Sequence, residues 1–386
     1  MSELQELLTR GVANIIPNKT LLEKKLSTGD KINIYLGIDP TAPNIHLGHA
    51  VVLRKLQRFA DLGHNVTFLV GDFTAKIGDT SDKESERPQL TDEAIQTNLR
   101  TYKKQASKII DFDKITIRFN SEWLSRLTFE ETIRLIGNFS LNDFISRELI
   151  KKRLSEGKSV GLLETIYPIM QGYDSFIMDT DLQLGGTDQT FNMQAGRYLL
   201  KGKKESFVMT TEFLSGTDGR KMSKTWGNAI WLTDDASQMY GKLMSITDSV
   251  IIEYFTLATD TPLGEIEKYK LELNSNPMEV KKKLAYEIVK ELHSDEDARI
   301  AQENFEKTVQ NKQLPDDIQT ISAKSGMTIL DFIVENKLSE SKSEAKRLIE
   351  QGGVEYDSSK AELFTIISKS GILKVGKRNF VKINIE

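Results

Sequence analysis

Cysteine is absent from the 386 residues of the chain. This absence excludes disulfide bonds and thiolate metal sites, and it fits a reducing compartment. Histidine is also scarce, with four residues, so a metal site built on imidazoles has little support. No apolar run approaches membrane-spanning length, and the N-terminus lacks the basic-then-apolar pattern of a secretion signal. These observations predict a cytoplasmic protein without a protein-held metal.

A large excess of positive charge is also missing. The 52 Lys and Arg residues stand against 56 Asp and Glu residues, which gives a formal net charge of −4. Any contact with nucleic acid must therefore use local patches rather than the whole surface. The 39% hydrophobic content is sufficient for buried cores. Because single cores seldom grow past about 250–300 residues, the length predicts two or three domains.

Residues 35–49 predict the end of a strand, a tight turn and the start of a helix. Upstream, apolar residues alternate with others over positions 32–38, which is the period of a strand. Helical spacing of apolar residues begins at His46, Gly63 closes the helix, and positions 66–70 predict a second strand. In such a strand–helix–strand unit, ligands bind beyond the strand ends, beside the helix N-terminus.

His46 and His49 lie one helical turn apart, so they share a face of that helix. Gly48 lies between them and has no side chain to hold a ligand away. Two imidazoles and free backbone N–H groups suit a polyphosphate. Two ordinary surface histidines or a metal pair are alternatives that this short motif leaves open.

The second half of the chain offers two further groups of polar residues. Tyr167, Gln171 and Asp174 share one face of a predicted helix, as a pocket lining or a solvent-facing stripe. The strand that ends at Gly185-Gly186 allows close backbone approach, and Asp188 is placed to accept hydrogen bonds from ribose hydroxyls. Lys221 and Lys224 lie in a glycine-flanked basic loop, which predicts phosphate partners unless it is merely solvated.

The remaining segments predict the domain organisation. Residues 1–31 predict a helical lead-in, 81–88 a charged exposed loop, and 311–325 a polar linker. In the last segment, 326–386, two helices precede short strands at 354–356, 364–367 and 380–385. Positions 363–385 contain no acidic residue and a set of basic ones, which predicts a phosphate-backbone partner. The basic residues are Lys369, Lys374, Lys377, Arg378 and Lys382.

The pairing of His46-Leu-Gly48-His49 with Lys221-Met-Ser-Lys224 resembles the signatures of class I aminoacyl-tRNA synthetases. Leu47 replaces the commoner Ile, and Thr225 stands where Ser often follows; both keep size and chemistry. Further stretches resemble the tyrosyl-tRNA synthetase family, and residues 326–386 are similar to an RNA-binding module that its bacterial members share with a small-subunit ribosomal protein. These stretches are Tyr35-Leu-Gly-Ile-Asp39-Pro-Thr, Ile77-Gly78-Asp79, Tyr167-Pro-Ile-Met-Gln171-Gly-Tyr-Asp174 and Leu184-Gly-Gly186-Thr-Asp188-Gln189.

The resemblance implies an α/β fold. A Rossmann-type parallel-sheet catalytic domain at 1–231, with a helical insertion at about 121–162, would precede a helical anticodon-side domain at 232–310 and a small α+β RNA-binding domain at 326–386. It also implies a tyrosine–tRNA ligase, which converts L-tyrosine and ATP into tyrosyl-adenylate and pyrophosphate and then transfers tyrosine to the 3' end of tRNA(Tyr). Mg²⁺ would arrive with ATP. A homodimer joined through the insertion is implied as well.

The resemblance further assigns roles to individual residues. The catalytic group would be Thr41, His46, His49, Lys221 and Lys224. The tyrosine-binding group would be Tyr35, Thr74, Asp79, Asn120, Tyr167, Gln171, Asp174 and Gln189, with Tyr35 and Asp174 on the substrate phenol. The ATP-binding group would be Gly37, Asp39, His46, Gly48, His49, Gly186, Asp188, Lys221, Ser223 and Lys224.

Three other interpretations make different predictions. A different nucleotidyltransferase with the same histidine motif has no need of the RNA-binding segment 326–386. A tryptophan specificity is disfavoured by Tyr35 and Asp174, which suit a phenol. An RNA-binding protein that lost its chemistry is expected to lack signature histidines or lysines, and all of them are present.

Overall fold

The computed structural model describes residues 2–79, 90–307, 319–339, 341–357, 359–376 and 379–385. The chain divides into two compact units, Met1–Asp295 and Glu296–Glu386. The predicted charged loop at 81–88, the first part of the predicted linker, and the basic residues Lys377 and Arg378 lie outside the described residues. Within the described part of the chain, no helix has the length and apolar character required to cross a membrane.

The first unit is built on a six-stranded sheet. Its strands are β1 Val12–Ile16, β2 Asn33–Ile38, β3 Asn65–Val70, β4 Ile115–Phe119, β5 Leu182–Gly186 and β6 Phe207–Thr211. The order is β1-β6-β5-β2-β3-β4, and every neighbouring pair is parallel except β1 with β6. The chain winds from β2 to one side and from β5 to the other. The carboxyl ends of β2 and β5 therefore form the crevice in which ligands of open α/β sheets bind.

Fourteen α-helices accompany this sheet in the described part of the first unit. They are α1 Glu3–Leu7, α2 Lys19–Leu26, α3 Leu47–Asp61, α4 Asp92–Ala106, α5 Ser121–Leu124, α6 Phe129–Ile136, α7 Leu141–Ile145, α8 Glu148–Ser155, α9 Leu162–Ile177, α10 Thr190–Leu200, α11 Ala236–Met244, α12 Ile251–Ala258, α13 Leu263–Glu272 and α14 Pro277–Leu292. Short 3₁₀ turns cover Thr74–Lys76, Thr187–Gln189 and Asp248–Val250. The α/β fold with a helical insertion is confirmed. Helices α11 to α14, predicted as a separate domain from position 232, belong to the same compact unit as the sheet.

The prediction of a helical lead-in over residues 1–31 holds for α1 and α2 but misses strand β1. Strand β1 lies between α1 and α2 and pairs antiparallel with β6 at the edge of the sheet. Gly11 has a φ of +62° and Pro17 follows the strand, so both neighbours favour an interruption of helix. The short strand lacks a strong pattern of its own, and pairing with a distant strand decides its conformation.

The second unit contains a five-stranded sheet with helices against one face. Helix α15 Asp295–Phe305 begins at the boundary between the two units. The core of the second unit includes Phe332, Ile333 and Ile349, which pack against the sheet. The strand order is β7-β11-β10-β8-β9. The further elements are β7 Gln319–Ala323, α16 Ile329–Glu335, α17 Lys342–Glu350, β8 Val354–Tyr356, β9 Ser359–Lys360, β10 Gly371–Val375 and β11 Asn379–Ile385.

Two predictions for this unit are wrong. Strand β7 occupies part of the predicted linker, because its polar residues tolerate solvent while its backbone pairs in parallel with β11. The apolar run at 364–367 is not a strand: Phe364 is 85% exposed, and Ile366 makes only an isolated bridge to Thr328. The strand is instead β10, which buries alternate residues.

Candidate active site

A polar pocket opens at the carboxyl ends of β2 and β3, beside helix α9. Asp174 is buried in it and accepts hydrogen bonds from Asn120 Nδ2 at 3.2 Å and Trp123 Nε1 at 2.7 Å. Burial raises the pKa of the Asp174 carboxyl to about 8, although the bonds from Trp123 and Asn120 act in the opposite direction. The residues that line the pocket are Tyr35, Gly37, Ile38, Asp39, Leu69, Gly71, Thr74, Asn120, Tyr167, Gln171, Asp174 and Gln189.

The hydroxyl of Tyr35 lies among other polar side chains. It donates to Gln183 Oε1 at 3.3 Å and accepts from Ser175 Oγ at 3.5 Å. Burial and, secondarily, the charge of Asp174 raise the pKa of the Tyr35 phenol, so it stays protonated. A phenol and a carboxyl group in one pocket offer both a donor and an acceptor to a ligand hydroxyl.

A second network of hydrogen bonds holds the side chains that line the pocket just after β2. Asp39 accepts from Tyr167 Oη at 2.9 Å and from Thr74 Oγ1 at 2.7 Å, and Asn120 Nδ2 donates to Thr74 Oγ1 at 3.0 Å. Gly71 makes this arrangement possible, because a Cβ there would lie 1.9 Å from Asp39 Oδ1. Each polar group of the network is held before any ligand arrives.

Asp79 is held by α10 and the turn before it. Its carboxylate accepts from Gln189 Nε2 at 2.7 Å and from Asn192 Nδ2 at 3.4 Å. Asn192 also donates to Gln189 Oε1 at 3.2 Å. Because Gln189 also lines the pocket, the Asp79 carboxylate is placed next to it. An anionic group at this position suits a ligand ammonium.

The two histidines cap the helix on which they lie. His46 is the N-cap of α3, and its Nδ1 accepts from the N–H of Gly48 at 3.1 Å. His49 Nδ1 accepts in return from the N–H of His46 at 3.3 Å. Each Nδ1 is therefore an acceptor, which leaves the proton of the neutral ring on Nε2. A Cβ on Gly48 would lie 2.9 Å from the His46 ring, so glycine is needed for this fold-back.

Both imidazoles are uncharged near neutral pH. Burial, then the neighbouring His49 and Lys221, lower the pKa of His46 to about 2. Burial is also the main cause that lowers the pKa of His49 to about 4, with Lys221 adding to it and the bond from the His46 backbone opposing it. The pair thus presents two neutral N–H donors at a helix N-terminus, where partial positive charge also gathers.

The lysine loop, defined as residues 216–225, lies next to the histidines at the N-terminus of α3. Lys221 Nζ lies 3.9 Å from Asp188 Oδ2 and 3.8 Å from the centre of the Phe213 ring. Next to it, Met222 Cβ lies 3.9 Å from the position of a Cβ on Gly48. An isolated antiparallel bridge also joins His46 to Trp231. The structure therefore brings together the histidines, Lys221 and Asp188 from separate parts of the chain.

The other predicted nucleotide-binding residues lie around this group. Gly186 ends β5, and a Cβ there would lie 2.5 Å from Asp188 Oδ1. The N–H of Thr41 donates to Asp39 O at 2.8 Å in the turn after β2. Ser223 donates its N–H to Asn228 Oδ1 at 2.8 Å, and Lys224 is exposed. Of the two lysines, only Lys221 reaches the histidines in this conformation.

Several residues in or next to the pocket were not predicted from the sequence. Gln183 was detectable, since a fully buried amide between Leu182 and Leu184 in a central strand needs a partner. Trp123 had no signal, because its role depends on a hydrogen bond across the fold to Asp174. The contributions of Ser175, Asn192 and Gly71 likewise depend on side chains that only the tertiary fold brings near.

The sequence is similar to those of known tRNA synthetases. A family model described as tRNA synthetases class I (W and Y) matches residues 27–310. The tyrosine–tRNA ligase of Thermotoga maritima is 44% identical over 99% of this chain and 97% of its own length. The tyrosine–tRNA ligase 2 of Vibrio cholerae is 42% identical, with 98% of each chain covered.

Two of the solved structures that match this chain in fold are tyrosyl-tRNA synthetases. A C-terminally truncated mitochondrial tyrosyl-tRNA synthetase of Coccidioides posadasii matches with a TM-score of 0.65 at 25% identity, covering 79% of this chain and 92% of that one. A tyrosyl-tRNA synthetase of Archaeoglobus fulgidus, solved with L-tyrosine, shares the fold with a TM-score of 0.61 at 22% identity. The latter covers 78% of this chain and 98% of its own.

Proposed function

The chain belongs to the tyrosine–tRNA ligases of the class I tRNA synthetases, and we propose that its polar pocket selects L-tyrosine for activation by ATP. The observation that carries this proposal is the placement of Tyr35 and the buried Asp174 in one pocket at the switch point of the sheet. A phenol hydroxyl there donates to Asp174 and accepts from Tyr35. An indole or a phenyl ring leaves one or both groups unpaired, which a buried site penalises.

The opposite end of the substrate meets acidic and amide groups. We assign the ammonium group of tyrosine to Asp79, Tyr167 and Gln171, with Asn120, Thr74 and Gln189 completing the polar lining. The support is that Asp79 is already held by Gln189, while Tyr167 is held by Asp39. A ligand ammonium therefore meets fixed oxygen atoms rather than side chains that must first be ordered.

The first chemical step needs no strong base. The tyrosine carboxylate is ionised at neutral pH, so one of its oxygens attacks the α-phosphorus of ATP directly. The bond from that phosphorus to the bridging oxygen of the β-phosphate breaks, and pyrophosphate leaves with the electron pair. Magnesium enters as part of the MgATP substrate. The work left to the protein is positioning and stabilisation of charge on the leaving phosphates.

The histidines and lysines supply that stabilisation in our proposal. The Nε2–H groups of His46 and His49 donate to phosphate oxygens, and Lys221 adds a full positive charge, joined by Lys224 and Thr41. Neutral imidazoles cost less to bury than imidazolium ions, which fits their lowered pKa values. Asp188 binds the ribose after Lys221 leaves it for the phosphates. Gly37, Asp39, Gly48, Gly186 and Ser223 shape the rest of the ATP site.

The second step transfers tyrosine to tRNA(Tyr). A hydroxyl of the terminal ribose attacks the acyl carbon of tyrosyl-adenylate, and AMP leaves. We propose that helices α11 to α14 lie on the anticodon side and that the second unit binds RNA. Lys374 and Lys382 lie on strands of that unit, in a stretch without acidic residues. A cytoplasmic location, where tRNA is charged, belongs to the same proposal.

A homodimer is also proposed, with the helical insertion as its interface. Phe129 of α6 is 81% exposed, Leu141 of α7 is 62% exposed and Leu162 of α9 is 78% exposed. Helix α6 buries none of its residues within the chain although it is apolar on one face. Exposed apolar residues clustered on neighbouring helices are typical of an interface between copies.

Pyrophosphate exchange tests the function directly. The purified chain is incubated with MgATP, labelled pyrophosphate and each of the twenty amino acids in turn. Exchange that depends on tyrosine, and far less on phenylalanine or tryptophan, is the expected result. Exchange that depends on tryptophan instead supports the alternative specificity. No exchange with any amino acid contradicts the proposal.

A further inference from the structure

We propose that Glu253 of helix α12 is a positioning residue that holds Lys221 in its place for adenylate formation. This inference rests on the proposed function, because it assigns Lys221 to the phosphates of ATP. Glu253 lies outside both signature segments and outside the polar pocket. Its action is indirect and passes through the residue at the base of the lysine loop.

That residue is Ser215, and α12 holds all of its backbone and side-chain polar groups. Its N–H donates to Glu253 Oε1 at 2.5 Å, and its hydroxyl donates to Glu253 Oε2 at 3.0 Å. Its carbonyl accepts from Tyr254 Oη at 2.7 Å. Two consecutive residues of one helix thus fix a single residue at three points, of which two involve an ionised carboxylate and are the stronger ones.

Ser215 is in turn paired with Lys221. The two residues form an antiparallel bridge, and the N–H of Met222 donates to Leu214 O at 3.1 Å. Between these arms the chain turns at Gly219, whose φ of +81° suits glycine. The backbone of Lys221 therefore lies against a segment that cannot shift without breaking its bonds to α12.

Asn228 holds the loop from its other side. Its Nδ2 donates to Lys221 O at 3.2 Å and to Asp218 Oδ1 at 2.7 Å, and Asn228 itself is buried. Lys224 is exposed and lies beyond these bonds. Both lysine side chains are exposed, and the two residues differ in their backbones: that of Lys221 is held from two sides, whereas the carbonyl of Lys224 accepts from the nearby N–H of Gly227 at 3.2 Å. We assign the α12 contact to Lys221 alone.

A carboxylate is required at position 253 because it must accept two hydrogen bonds, one on each oxygen. Glutamine offers one acceptor oxygen and turns an N–H₂ group towards a donor. Glu253→Gln therefore preserves size while breaking one contact to Ser215. We expect it to lower the rate constant of adenylate formation about 10- to 100-fold, which matches the loss of a hydrogen bond to a charged group.

The experiment measures single-turnover adenylate formation and tyrosine affinity on the full chain. Glu253→Gln should lower the rate constant and leave the dissociation constant of tyrosine unchanged. Glu279→Gln is the matched control, because Glu279 of α14 is exposed and pairs with the nearby Lys282 at 3.1 Å. The melting temperature of each variant shows whether the fold is intact. Tyr254→Phe, which removes one bond to Ser215, gives a milder version if Glu253→Gln fails to fold.

A double-mutant cycle separates positioning from general damage. If Glu253 acts through Lys221, then adding Glu253→Gln to Lys221→Ala lowers the rate little further. Full additivity of the two effects, or a rate for Glu253→Gln equal to that of wild type, overturns the inference. Failure of the proposed function is a different result, namely a wild-type chain that forms no tyrosyl-adenylate.

Discussion

The tyrosine pocket and the phosphate site differ in how their polar groups are held. In the pocket, Asp174, Asn120 and Tyr35 are buried and already hydrogen-bonded to one another or to their neighbours. At the phosphate site the Nδ1 atoms of His46 and His49 accept backbone hydrogen bonds, and Lys221 Nζ lies 3.9 Å from Asp188 Oδ2. The tyrosine pocket is thus preformed for selection, whereas in our proposal the phosphate site is completed when Lys221 moves from Asp188 to the phosphates of ATP.

The comparison is tested most strongly at Lys221. Among the residues that the structure describes, Lys221 is the cation whose charge acts on both histidines, so we expect Lys221→Ala to slow adenylate formation by about 10²–10³-fold. Tyrosine affinity should stay unchanged, because the pocket residues do not depend on this lysine. Rapid-quench kinetics and equilibrium tyrosine binding measure the two quantities. A large loss of tyrosine affinity contradicts the assigned role.

Asp174→Ala tests the other region. The substitution removes the acceptor of Trp123 Nε1, one of the two acceptors of Asn120 Nδ2, and the acceptor proposed for the substrate phenol. We expect tyrosine to bind about 10- to 100-fold more weakly, because the buried hydroxyl of the substrate phenol is left without an acceptor, which costs about 1–3 kcal/mol. ATP affinity should be unaffected, and discrimination against phenylalanine should fall. Weakened ATP binding in this variant, measured by calorimetry, counts against separate sites.

Gly48→Ala tests whether the fold-back of the His46 ring over Gly48 matters for catalysis. The added Cβ would lie 2.9 Å from the His46 ring, so the ring must move and its bond to the Gly48 N–H is strained. We expect adenylate formation to slow by about tenfold, which corresponds to about 1.4 kcal/mol. Stability should change little, because the loss of about 1 kcal/mol from a cap is offset by a similar gain from alanine in a helix.

Gly264→Ala is the matched control for that variant. Gly264 also lies in the first turn of a helix, α13, and a Cβ there meets no atom within 4 Å. The control should show the helix-propensity gain without the catalytic loss. If both variants slow the reaction equally, the fold-back of His46 over Gly48 has no catalytic importance.

A last prediction concerns stability rather than rate, namely a pH dependence that comes from Asp174. Burial raises its pKa to about 8 in the folded chain, so the folded state binds this proton over a range where the unfolded state has released it. Stability from this group therefore falls as the pH rises from about 4, the usual range of a carboxyl, to about 8. Asp174→Asn removes the titration. The difference in free energy of unfolding between Asp174→Asn and wild type should move in favour of the variant from pH 5 to pH 9, and a constant difference contradicts the raised pKa.

The parts that the sequence predicts well are those with strong local patterns. The alternation over residues 32–38 and the helical spacing after His46 locate β2 and α3 because both patterns are decided within a few residues. Strands β1 and β7 were not predicted, because their extended conformation depends on pairing with strands that are distant in the sequence. The capping role of the histidines was overlooked, although their spacing of three residues is that of a capping box.

One parallel measurement tests the separation of selection from catalysis most directly. Single-turnover adenylate formation is followed as a function of tyrosine concentration for wild type, Asp174→Ala and Lys221→Ala, which gives a tyrosine dissociation constant and a limiting rate constant for each. We predict that Asp174→Ala raises the dissociation constant at a nearly unchanged limiting rate, whereas Lys221→Ala lowers the limiting rate at an unchanged dissociation constant. Substitutions that alter the same constant would contradict the account.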